Sequence, residues 1–161
     1  MLDINDCQPY VRHMLAEHRR LHKLLQAAGN VVRKPSVNWS TQLCPLLIEL
    51  RQELEHHFLQ EEQGGCLEQA ASYCPSLSAD VRRIEAEHPR LLAKLKALIE
   101  QTASGRSSER DRQALEHAFA SLSRDLYAHE AAEIESLRRG FGINVNDDEV
   151  GVAIAATSPL A

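Results

Sequence analysis

Along most of the chain, apolar residues return at alternating steps of three and four, the spacing that lines one face of an α-helix. One seam reads Val11, Leu15, His18, His22, Leu25, and a second reads Leu43, Leu47, Leu50, Leu54, His57, Glu61. A third reads Val81, Ile84, His88, Leu91, Leu95, Leu98, and a fourth reads Leu115, Phe119, Leu122, Leu126, His129, Glu133, Leu137. These seams predict helices over Pro9–Ala28, from Asn38 or Ser40 to Gln63, from Ser78 or Asp80 to Ala103, and over Glu109–Arg139. Pro9 suits a first turn, Asn38 or Ser40 an N-cap, and Gly29-Asn30, Gly64-Gly65 and Gly140 the helix ends. The piece CLEQAASYCPSL crosses from the second helix to the third with a helical turn of its own. Pro89 removes a backbone hydrogen bond inside the third helix and should bend it. Short connections between long helices imply antiparallel neighbours. The expected fold is therefore all-α, an up-down-up-down antiparallel four-helix bundle over residues 1–142. Residues 143–161 have no helical period and read as an extended or disordered tail.

Composition narrows the function. The 161 residues suffice for one domain with a substantial core. Only 4% are aromatic, so leucine and alanine must fill that core. The net charge of −5, with no basic patch, excludes a nucleic-acid partner. No apolar run reaches membrane-spanning length, and MLDINDCQPY lacks the basic and apolar regions of a secretory signal, so a cytoplasmic chain is expected. The cysteines at 7, 44, 66 and 74 form no CxxC pair and read as reduced thiols, although Cys66 and Cys74 flank a turn and could approach. Asn146-Asp147-Asp148-Glu149 lacks the glycine of a calcium loop and reads as solvated tail. Trp39 reads as a hydrophobic plug under the loop before the second helix. There is no Gly-rich phosphate loop and no nucleophile paired with a base, which leaves enzyme status open.

The eight histidines carry the chemistry. Each seam passes from leucine to histidine without a change of phase, and two add a glutamate one turn later. Buried charges cost several kcal/mol unless paired or metal-bound. Four imidazoles facing two carboxylates in one interior therefore point to a bound cation. Spacing of i,i+4 sets both side chains on one face, within reach of one metal or two adjacent ones. Imidazole with carboxylate is a ligand set that suits iron. Zinc fits less well, because six seam ligands are too many for one tetrahedral ion. His13, His56 and His117 lie off the seams and read as surface residues.

The segments AEHRRLH around His18, HHFLQEE around His57 and Glu61, EAEHPRLL around His88 and YAHEAAE around His129 and Glu133 occur in an order that resembles the hemerythrin-like (HHE cation-binding) family. The resemblance spans roughly residues 10 to 142. It implies a four-helix bundle with a carboxylate-bridged di-iron centre. By residue it implies His18, His57, His88 and His129 as terminal ligands, with Glu61 and Glu133 as bridges. The oxygen carriers of that family place two histidines, four residues apart, on the third helix. Here Ile84 and Leu92 flank His88 at that distance, and neither coordinates. Those carriers also have Asp where this chain has Glu133. One metal is then short of a ligand and more open, with Glu85, His22 and Glu62 as further candidate ligands. The expected function is binding or sensing of dioxygen, nitric oxide or peroxide, or the handling of iron. The alternative is an interaction or regulatory bundle in which metal is structural or absent, with a protein partner the sequence does not name.

Overall fold

The computed structural model describes residues 4–34 and 36–142, and the expected tail lies outside the described residues. Five α-helices and one 3-10 turn account for the described chain, with no strand among the described residues. They are α1 (Ile4–Arg33), α2 (Trp39–Gly64), α3 (Cys66–Tyr73), α4 (Ser78–Ala103) and α5 (Glu109–Phe141), with the turn Pro75–Leu77 before α4. The crossing piece is thus a short helix followed by a turn.

α1 starts at Ile4, before the expected Pro9, which lies inside the helix, and two expected C-terminal ends are overrun. α1 continues through Gly29-Asn30 to Arg33. A glycine in a helix costs only about 1 kcal/mol, and the extra turn buries Val32 in the core beside Trp39 and Leu43. The helix closes just before Pro35, where α geometry is disfavoured. Arg112 of α5 caps this end by donating to the Val32 carbonyl at 2.6 Å. α5 likewise runs through Gly140 to Phe141, and Gly142 in the left-handed region (φ 64°) follows it. Gly140 serves packing instead of termination. A Cβ there would lie 2.4 Å from the Ala70 Cβ and under 3 Å from the Ala70 backbone, so the missing side chain lets α3 rest directly on α5.

The other ends follow local chemistry. Gly65 (φ 62°) stops α2 and returns its N–H to the Glu61 carbonyl. Asn38 occupies the cap position of α2 without a side-chain cap bond. Ser108 and Asp111 form a reciprocal capping box at the start of α5. α4 passes through Pro89, whose side chain is exposed.

α1 packs on α2 and α5, and α4 packs on α2 and α5, so the long helices close a ring in the order α1, α2, α4, α5. α3 covers one end against α5 and α4. The core divides into two apolar clusters. The larger contains Leu47, Leu50, Leu54, Leu95 and Leu126, all with no exposed surface. Burying each of these contributes about 1.5–3 kcal/mol. The smaller gathers Met14, Leu67, Ala70, Leu77, Ile84 and Leu137 around α3. Between the two clusters lies a layer of polar residues.

Candidate metal centre

That layer contains His18, His57, Glu61, His88, His129 and Glu133, all buried. Each seam that lines the leucine core simply continues into it, so helical phase alone carries these side chains inward. Their donor atoms form two groups. His18, His57, Glu61 and Glu133 make one, and Glu61, His88, His129 and Glu133 make the other. Within each group the donors lie within 4.8 Å of one another, and both carboxylates belong to both groups.

The individual distances describe two adjacent pockets. His18 Nε2 lies 3.1 Å from Glu133 Oε2, and His57 Nε2 lies 3.3 Å from Glu61 Oε1. On the other side His129 Nε2 lies 2.6 Å from Glu133 Oε1, and His88 Nε2 lies 3.4 Å from Glu61 Oε2. Each carboxylate thus turns one oxygen to each pair of imidazoles. Phe58 stacks on the His88 ring at 3.9 Å and meets His129 edge-on at 5.3 Å, holding both rings in place.

The donor set fits a cation. His57 Nε2, His88 Nε2, His129 Nε2, both oxygens of Glu61 and Oε1 of Glu133 are buried without a hydrogen-bond partner. Stranding so many buried polar atoms is costly, and all of them point at the shared interior. Protons partly fill the role of a cation. Burial on its own lowers a histidine, yet the carboxylates of Glu133 and Glu17 push His57 up to about 11. His129 rises to about 9, its burial likewise outweighed by Glu133. Glu133 is opposed by burial but held well below the usual carboxylate range by His129, His18 and His57. Burial and the Glu133 charge push Glu61 up to about 7.

A second set of carboxylates lies behind the histidines. His57 Nδ1 donates to Glu17 at 2.9 Å, His88 Nδ1 to Glu62 at 2.8 Å, and His129 Nδ1 to Glu87 at 2.8 Å. These bonds place the proton on Nδ1 and turn Nε2 toward the interior, the arrangement typical of metal-binding histidines. His22 Nε2 meets Glu130 at 2.5 Å. Each link joins one long helix to the next: α1 to α2, α2 to α4, α4 to α5, and α5 back to α1.

Of the three further candidates, Glu62 lies behind His88, at the Nδ1 edge of the ring away from the interior. His22 pairs with Glu130, and Glu85 belongs to neither donor group. Glu17, Glu87 and Glu130 were not singled out by sequence. Their signal is adjacency: every one sits next to a core histidine in the chain, at 17–18, 87–88 and 129–130. A neighbour on a helix points about 100° away, so each reaches a core histidine of the adjacent helix and not the one beside it in the chain. Cys44 and Cys74 are free thiols, and Cys66 is buried. No described helix is long and apolar enough to cross a membrane. The chain matches no family model, no curated protein and no solved structure.

Proposed function

We propose that this chain is a hemerythrin-like protein, an up-down-up-down four-helix bundle whose interior binds two irons bridged by Glu61 and Glu133. The observation that carries this reading is the pair of four-donor groups sharing both carboxylates. His18 and His57 would hold one ion, and His88 and His129 the other. Antiparallel packing is supported by contacts such as His13 with Gln60 and Val32 with Arg112, which pair the start of α1 with the end of α2 and the end of α1 with the start of α5.

When bound, reduced iron supplies the electrons and the open coordination position that a small ligand such as dioxygen, nitric oxide or peroxide uses. The chain does the rest. Leu54, Leu91, Leu95 and Leu126 keep bulk water from one side of the polar layer. Glu17, Glu62 and Glu87 orient the imidazoles and raise their basicity. Without metal, Glu133 stays well below the usual carboxylate range while Glu61 is pushed up to about 7, so an arriving cation would displace a proton from Glu61.

The test is to load the full chain with ferrous iron without oxygen, count the metal, and record optical spectra before and after air. The expected result is two irons per chain and a new absorption band that depends on oxygen. A colourless protein holding one zinc, with no response to air or nitric oxide, overturns the reading. A metal-free chain that is unfolded, and that binds no small ligand when refolded with metal, makes the metal structural.

A further inference from the structure

One group of metal-type donors lies outside the centre yet touches it. Glu17 is only 4% exposed and divides its carboxylate between two neighbourhoods. Oε2 accepts from Nδ1 of His57, on the inside. Oε1 is buried without a hydrogen-bond partner. It faces two histidines at the α1–α2 surface, with His13 Nε2 at 3.3 Å and His56 Nε2 at 3.9 Å. Gln60 adds an amide oxygen 2.8 Å from His13 Nε2. The side chains of His13 and His56 are 52% and 56% exposed, so both imidazoles reach solvent while the carboxylate between them does not.

We propose that His13, His56, Gln60 and Oε1 of Glu17 form a landing site for a divalent transition metal on its way to the buried centre, an inference that rests on the metal reading above. Imidazole and carboxylate donors suit ferrous, cobaltous and zinc ions alike. The carboxylate is fixed by burial, and the two exposed imidazoles turn about their side-chain bonds to close on an ion. The Arg20 guanidinium, half exposed, lies 3.8 Å from this oxygen. A long solvated arginine is readily displaced by a divalent ion.

A site made for transit must bind strongly enough to capture and weakly enough to release, the condition that governs ion passage generally. Three neutral donors and one carboxylate meet it better than the inner groups, where two carboxylates serve each position. The six inner donors are all buried, so an ion crossing the apolar wall unaccompanied would pay the full desolvation cost. Glu17 shortens that step because one carboxylate borders both the outer donors and His57.

The test compares the full-length chain with a His13→Gln/His56→Gln double variant. Both substitutions fall at exposed helical positions and leave all six inner donors in place. Metal-free protein is mixed with limiting ferrous iron without oxygen, and iron resistant to a chelator is counted against time. Cobalt(II) titration of the same chains counts weaker sites. The expected result is an equal final iron content, loading at least about fivefold slower in the variant, and one weak cobalt equivalent present only in the native chain. Equal loading rates overturn the transit role even if the cobalt equivalent differs. If neither chain ever holds chelator-resistant iron, the central reading fails. The outer site then stands on the cobalt equivalent lost with the two histidines, and falls if that equivalent is absent or unchanged.

Discussion

Glu133 belongs to both donor groups, so replacing it tests whether they form one centre. It is completely buried, with Oε1 2.6 Å from His129 Nε2 and Oε2 3.1 Å from His18 Nε2 and 3.9 Å from His57 Nε2. Glu133→Gln keeps the volume and removes the charge. Losing a residue that merely orients a ligand weakens metal binding by about 10- to 100-fold. A direct donor removed from both positions should cost at least the upper figure at each, about 100-fold or ~2.7 kcal/mol. His18→Ala removes a donor from one group only, and His88→Ala from the other. Each variant is loaded with iron, dialysed against a chelator and analysed for metal, with circular dichroism confirming helix content. Glu133→Gln should retain neither ion, while each histidine variant keeps one. A Glu133→Gln chain that holds two ions, beside a His18→Ala chain that holds none, refutes the shared-carboxylate reasoning.

Glu87→Gln, which weakens the acceptor behind His129, should lower affinity at one position by about 10-fold or more with the fold intact, as measured by competition with a calibrated chelator. Leu95→Ala empties a fully buried site in the larger cluster and should cost about 2–5 kcal/mol in urea unfolding. Gly140→Ala places a methyl group against the Ala70 backbone and should destabilise by about 1–3 kcal/mol, visible as a lower unfolding midpoint. In the metal-free chain His57 and His129 titrate near 11 and 9, above their unfolded value near 6.5. Their contribution is therefore complete below about pH 6.5 and lost as pH rises through 9 and then 11. Metal requires the deprotonated imidazole, so affinity should move the opposite way and rise with pH. Urea unfolding of both forms between pH 6.5 and 10 checks the crossing, and parallel profiles would count against it.

The helices and the inner residues were legible because one rule produced both. In α2 the step from Leu54 to His57 to Glu61 keeps the phase of the leucines before it, so whatever buries the leucines buries the imidazole. Helix ends were less legible, because Gly29 and Gly140 look like terminators and only packing shows otherwise. At Gly29 the gain from burying Val32 exceeds the propensity cost, and at Gly140 the neighbour that needs the space is Ala70, seventy residues earlier. Glu17, Glu87 and Glu130 were hidden for a related reason. They lie off their own seams, and only the order of helices around the ring shows which histidine each one reaches.

That circuit of carboxylate-to-imidazole links also fixes the rotational setting of each long helix. A seam made mostly of leucine tolerates small turns of a helix about its axis, since one leucine fills another's hole with little loss. The polar links do not. Turning α4 by a single residue would part Glu62 from His88 and Glu87 from His129 together, stranding one buried imidazole nitrogen on α4 and another on α5. The links thus select one arrangement from the many that an aliphatic interior would accept, and they do so at the level where the donor atoms must coincide.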